Sequence, residues 1–373
     1  MAVKEKKVEL IELFYDLIFV FAISKLTSLI SQPVNDFIPP VYFFQYIITS
    51  FVILQAWLYF TNYVNRYCRW EWYDYIIICV NMISVIFMAN MISLDWASMY
   101  LVFDIAMIVI LSTIGLLYSI HIKKDKDNNA AAKNSVEILT IVCSIYLVAI
   151  VCCFLKLWTF VTLFNVLAIL AGAFLPFFIR GDFDESIISF PHLVERFELL
   201  TIITFGEAIV GLTHFFDVNS FSLIPIFVFL IVLTMFGAYV VQIHRLVNHM
   251  RVERSLRLMF SHYFIVISIN LGTVAFELLY EGDVNHYWTC ILMIASLALF
   301  YISMLANKVY YKDMYSLTKK DVGMMSILFL ISSSLMLMFL NNFYVFLIAN
   351  LIITVGIFEI LLTKYLNTKK LSV

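Results

Sequence analysis

Charge is scarce in this 373-residue chain: 13% of its residues are Asp, Glu, Lys or Arg, against about 25% in an ordinary soluble domain. With 63% of residues hydrophobic, too little polar surface remains to cover a globule in water. The six cysteines form no CxxC pair, so a structural disulfide or a zinc site is not expected, and they read as small apolar residues. No basic stripe with interleaved aromatics is present, which argues against nucleic acid as a partner. GxSxG, HExxH, P-loop and GxGxxG motifs are also missing. An enzyme with any of those signatures is thereby excluded, and no cofactor is implied.

Long apolar runs are what the sequence does contain. Segments such as 42–63, 75–94, 135–155, 158–179, 221–241 and 342–362 each approach the ~20 apolar residues that cross a hydrocarbon core. Inside lipid each backbone N–H and C=O must be bonded within the segment, so these runs read as helices. The expected fold is an all-α integral membrane protein of about twelve spans. They fall near 9–31, 40–64, 73–94, 98–121, 135–155, 157–179, 192–215, 221–246, 256–280, 286–308, 320–340 and 342–365. The stretch after Lys4, Lys6 and Lys7 carries Glu9, Glu12 and Asp16, and reads as a retained first helix rather than a signal peptide.

Positive charge orients the spans. With the N-terminus inside, 22 of the 24 Lys and Arg fall on cytoplasmic segments, the exceptions being Lys156 and Lys25. Both termini are therefore expected in the cytoplasm, in the plasma membrane. Trp70 and Trp72 at the inner boundary and Trp96, Trp158 and Trp288 at the outer one form the expected aromatic belts. The chain also resembles itself at an offset of 183, with Glu12-Leu-Phe14 against Glu195-Arg-Phe197 and Tyr63–Arg66 against Leu246–His249. This predicts two parallel six-helix repeats, 1–183 and 184–373, related by an axis along the membrane normal.

An ionised group at the middle of a span costs about 2.5–3.5 kcal/mol on insertion scales, so such residues are functional candidates. Glu9, Glu12 and Asp16 are spaced +3 and +4 and share one face of helix 1. Glu9 and Glu12 also suit a solvated first turn, where the helix dipole favours acids. Helix 7 carries His192, Glu195, Arg196, Glu198, Gly206 and Glu207. Lys25 is near the pseudo-equivalent of Glu207, and the two would pair if helices 1 and 7 meet. Asp104 on helix 4 is a further buried acid. His262 on helix 9 is more simply a hydrogen-bonded packing residue than a ligand.

Two runs carry a family resemblance. Glu12-Leu-Phe-Tyr-Asp-Leu-Ile-Phe-Val20 resembles the opening signature of the bacterial low temperature requirement A (LtrA) proteins. His192-Leu-Val-Glu-Arg-Phe-Glu-Leu-Leu-Thr-Ile-Ile-Thr-Phe-Gly-Glu207 resembles their second signature, and Trp57, Tyr63 and Arg66 their helix 2 pattern. The resemblance implies that Glu12, Asp16, His192, Glu195, Arg196, Gly206 and Glu207 are family-defining, with Trp57, Arg66 and His262 beside them. Glu198 and Lys25 depart from the pattern. Phe14-Tyr15-Asp16 also looks similar to part of a motif in the two-repeat potassium channels of endolysosomes, although Leu10 stands where their Arg would be.

These features point first to a transporter or channel for an ion or small solute. Its path would be lined by helices 1 and 7. Glu12 and Asp16 would be cation or proton sites, with Lys25, Glu195, Arg196, Glu207 and Asp104 as gating or coupling groups. The expected partners are the bilayer and a monovalent cation or proton; a homo-oligomer is compatible with the sequence. The alternatives are a regulatory or cold-adaptation membrane protein without transport, and a membrane enzyme acting on a lipid or isoprenoid.

Overall fold

The computed structural model describes residues 6–34, 36–125, 129–179, 187–216, 222–251, 255–282 and 284–371. Lys4, Lys126, Arg180 and Arg254 of the charge pattern lie outside the described residues, as do the side chains of Lys369 and Lys370. Twelve α-helices are present among the described residues: α1 (Leu10–Ile30), α2 (Pro40–Arg66), α3 (Trp72–Asn90), α4 (Trp96–Lys124), α5 (Ala130–Phe154), α6 (Trp158–Phe178), α7 (Phe190–Gly211), α8 (Ile224–Val240), α9 (Leu256–Glu281), α10 (His286–Ala306), α11 (Lys319–Met338) and α12 (Phe343–Leu371). No strand occurs among them, only two isolated bridges, Val34 with Phe37 and Val247 with Tyr311.

Local chemistry sets several boundaries. Thr318 and Asp321 exchange hydrogen bonds across the first turn of α11, which satisfies two N–H groups that helix geometry leaves unbonded. Asn285 accepts from the Tyr287 N–H at 2.9 Å and opens α10. At the end of α9 the chain turns left-handed at Gly282, φ 74°, a conformation that only a residue without Cβ adopts freely. After α8 the helix widens into one π-helical segment, Val241–Leu246.

Eleven of the twelve helices are long and apolar enough to cross a membrane. The exception is α7. Its 22 residues would extend about 33 Å, ample for a ~30 Å hydrocarbon core, but Glu195, Arg196, Glu198 and Glu207 lower its apolar character. The spanning helices are apolar nearly all round. Large side chains such as Phe14, Phe87, Phe154, Leu230 and Leu330 are exposed, as the lipid-facing half of a multi-pass protein requires.

The chain divides into two compact units. The first comprises Met1–Ile30, Pro40–Arg196 and Arg251–Arg254, and the second Ser31–Pro39, Phe197–Met250 and Ser255–Val373. Within the first, α1 packs on α2 and α3, α2 also on α4 and α6, and the antiparallel series α3–α4–α5–α6 packs in order. Its core includes Tyr15, Phe19, Trp57, Phe60, Tyr63 and Tyr118, all at most 2% exposed. Within the second, α8 packs on α12, α9 on α10, α10 on α11 and α11 on α12.

Candidate functional site: a buried ionic cluster on α1, α2 and the start of α7

Glu12 and Asp16 lie one helical turn apart on α1, and both are completely buried. The guanidinium that meets them comes from Arg196, in the opening turns of α7, where residues 190–196 belong to the first unit. Arg196 Nη1 donates to Glu12 Oε2 at 2.5 Å, and Nη2 donates to Asp16 Oδ1 at 2.5 Å. All three side chains are 0% exposed. Trp57 of α2 donates its indole N–H to the same Asp16 Oδ1 at 2.7 Å. The Arg196 guanidinium also lies 5.4 Å from the Trp57 ring and 5.9 Å from the Phe60 ring, within cation–π range.

His192 stands one turn before Arg196, and its neighbours fix its tautomer. The Asn65 amide oxygen accepts from the Ser189 N–H at 3.2 Å, while its NH2 donates to the Ser189 carbonyl at 2.8 Å. That orients the amide so that its NH2 also faces His192 Nδ1, at 3.1 Å. Nδ1 is then the acceptor and Nε2 carries the proton. Nε2 donates to Glu12 Oε1 at 3.4 Å, with Glu12 Oε2 at 3.1 Å. With a neutral imidazole, the two acids when both ionised exceed the one guanidinium by one formal negative charge, and Lys6 is the further cation that interacts with Glu12.

Around this centre runs a shell of hydrogen bonds. Tyr15 donates to Asn81 Oδ1 at 3.0 Å, and Asn81 donates to Thr113 Oγ1 at 2.8 Å and to the Ile110 carbonyl at 3.0 Å, linking α1, α3 and α4. Tyr63 donates to Asp74 Oδ1 at 3.0 Å. The Lys6 ammonium, outside the spans, donates to the Val64 carbonyl, and to that of Cys68 at 3.1 Å. It supplies a cation where helix-end carbonyls lack partners. Burial lowers its pKa below that of an ordinary lysine, opposed by Cys68 and Glu12.

The other candidates lie elsewhere. Glu195 is exposed, although it is the immediate neighbour of Arg196. Lys25 is exposed on α1, its ammonium 5.5 Å from the Phe21 ring centroid. Arg66 donates to Asn62 Oδ1 at 3.1 Å on its own helix. Asp104 is completely buried on α4, and Asn165 of α6 donates to it at 3.4 Å. In the second unit, Gly206 is exposed and Glu207 half-buried on α7. There too, His262 pairs with the Tyr239 hydroxyl at 3.0 Å and with the Leu258 carbonyl at 2.7 Å, a packing histidine bonded at both ring nitrogens.

Residues 65, 74, 81 and 6 were not marked as site residues by the sequence. Asn65 entered only through the internal repeat; Lys6 and Asp74 sit near helix ends, where polar residues look like ordinary solvated positions, and Asn81, at the middle of α3, is uncharged and carries no ionic cost. Their signal was spacing from the first-helix acids, which only the packing of α2 and α3 supplies. Among the described residues no group of three or more His, Cys, Asp or Glu is gathered as a metal site.

An all-helical chain with eleven membrane-competent helices and a fully buried ion-pair cluster defines a multi-pass membrane protein. Residues 7–363 match the bacterial low temperature requirement A protein (LtrA) family, and the chain belongs to that family. A comparison with curated proteins finds none that matches. Glu12, Asp16, His192 and Arg196 of the two signatures, with Trp57, are the residues brought together in the cluster.

Proposed function

We propose that this protein is a transporter or channel for a monovalent cation, a proton or another small solute, its path lined by α1 and α7. The observation that carries the reading is the charge excess in the cluster. Two carboxylates share one guanidinium inside an apolar helix, and Asp16 Oδ2 is buried with no hydrogen-bond partner. Ionisable groups held at membrane depth mark ion pathways and proton relays. Above the cluster α1 buries Phe19, Ile23, Leu26 and Ile30, an apolar stretch suited to a constriction that closes by dewetting. In this reading Glu12 and Asp16 bind the cation or proton, Arg196 competes for them as a gate, and Glu207 is a coupling group. No catalytic step is assigned.

Architecture supports the same reading. Each helix pair of the second unit, α8–α12, α9–α10, α10–α11 and α11–α12, has a counterpart six helices earlier, α2–α6, α3–α4, α4–α5 and α5–α6. This recurrence of packing order within each unit supports an internal duplication, a feature common among transporters. The distribution of Lys and Arg supports cytoplasmic termini in the plasma membrane. A second reading rests on how firmly Arg196 is held. A guanidinium bonded to both acids also suits a permanent interhelical pin in a regulatory protein without transport.

Liposomes containing only the purified protein, tested under K⁺, Na⁺ and H⁺ gradients, separate the two. The expected result is flux by the parent, reduced at least about tenfold in Asp16→Asn with folding intact, and altered in Glu207→Gln. No flux under any gradient, with a partner co-purifying, would establish the regulatory reading instead.

A further inference from the structure

The second unit contains a cavity that the ionic cluster does not use. Its volume is about 280 Å³, nearly twice the ~150 Å³ apolar cavity that admits benzene. Residues from α10, α11 and α12 line it, with Gln242 from the π-helical segment. π-Helical turns inside α-helices occur frequently at functional sites.

Two polar groups in this lining have no hydrogen-bond partner. Gln242 is 0% exposed and Tyr301 is 5% exposed. The Gln242 amide is oriented by its NH2, which donates to the Met304 carbonyl at 2.5 Å and to the Tyr311 hydroxyl at 2.8 Å. Its Oε1 is left as an unused acceptor, and the Tyr301 hydroxyl as an unused donor. Both residues line the cavity, and a buried polar group without a partner costs free energy until something supplies one. No charged side chain lines the space, which excludes an ion, a phosphate or an ammonium headgroup. The mouth is apolar. Ile302 on α10 and Leu330 on α11 are 67% and 64% exposed, and both belong to membrane-competent helices. Access is therefore from hydrocarbon rather than water.

We infer that this cavity binds a neutral, hydroxyl-headed hydrocarbon dissolved in the bilayer, an isoprenoid or straight-chain alcohol. A hydroxyl both accepts and donates, so it can answer either group, the Tyr301 O–H or the Gln242 Oε1. The apolar walls hold the first carbons of the chain, and the remainder stays in lipid. Membrane alcohols would bind here independently of whether the α1–α7 path conducts.

The test is photolabelling of the full-length protein in detergent by a diazirine-bearing long-chain alcohol, with labelled peptides mapped. Competitors are farnesol, dodecanol and dodecane. Labelling is expected on α10 and α11, competed by the alcohols and at least about tenfold less by dodecane. Tyr301→Phe should lower the affinity up to about tenfold, the worth of one hydrogen bond. Ile302→Trp should block the mouth from the lipid side. Tyr301→Phe removes only an atom without a protein partner, so its melting temperature should be that of the parent. Stronger competition by farnesol assigns the isoprenoid, and by dodecanol the straight chain. Equal competition shows that the hydroxyl alone is read. Dodecane competing as well as dodecanol, or labelling unchanged in both variants, overturns the inference.

Discussion

At the scale of single residues, Arg196 is the residue on which the cluster depends. Its two terminal nitrogens reach different carboxylates, Glu12 and Asp16. Removing it leaves two buried acids without their cation, and breaking a buried pair on one side costs about 3–5 kcal/mol. Arg196→Met should therefore lower the melting temperature in detergent clearly. Arg196→Lys should recover only part of the loss, because one compact ammonium cannot reproduce the fork that meets both acids. Adding Glu12→Gln and Asp16→Asn to Arg196→Met should restore most of the stability, since the stranded charges go with their partner. A triple variant as unstable as the single one would show that the cost comes from packing against Trp57 and Phe60. The cluster was half legible in the sequence. Acids and an arginine inside apolar runs stand out, which put Glu12, Asp16 and Arg196 among the candidates together with Lys25, Asp104, Glu195 and Glu207. Cost does not say which way a side chain points. Glu195 and Arg196 are adjacent and equally conspicuous, yet one is exposed and the other fully buried.

At the scale of elements, apolar runs located the helices well, and most predicted ends fall within a few residues of the structure. Facing was not legible, because these helices are apolar on every side and periodicity carries little information. Phe14 is 55% exposed while its neighbour Tyr15 is 0% exposed. Small residues carry that information instead. On α9, a Cβ at Gly272 would lie 2.8 Å from Ser296 Oγ of α10. That hydroxyl is already committed to the Ser268 carbonyl at 2.7 Å. The pair uses the close approach that small residues permit between membrane helices. Gly272→Val should cost about 1–3 kcal/mol by overpacking. On α11 a Cβ at Gly323 would meet nothing within 4 Å. Gly323→Ala should be neutral or stabilise by up to about 1 kcal/mol, through helix propensity alone. Melting curves of the two variants in the same detergent check the contrast. Equal effects would mean that α9 and α10 are less tightly joined than their geometry indicates.

At the scale of the whole molecule, topology turns on parity, and α7 decides it. Eleven crossings place the termini on opposite sides; twelve place them on the same side. Composition counts α7 out because of its charges. Yet the most costly of these, Arg196, is neutralised by Glu12 and Asp16 rather than presented to lipid. A neutralised charge no longer opposes insertion as an isolated one does, and the 22-residue length is sufficient. Counting α7 as a crossing also puts 22 of the 24 Lys and Arg on one side. Omitting it would reverse the side of every basic segment from Arg245 onward and break the positive-inside pattern. Reporter fusions in cells read this directly. With α7 spanning, a phosphatase active only outside the cytoplasm should be active when inserted between α7 and α8 and silent at the C-terminus. A fluorescent reporter that folds only in the cytoplasm should give the opposite pattern. A silent phosphatase between α7 and α8, with an active one at the C-terminus, would mean that α7 stays on the cytoplasmic side. The ionic cluster would then anchor a re-entrant or surface helix to α1, and no path lined by α1 and α7 could cross the membrane.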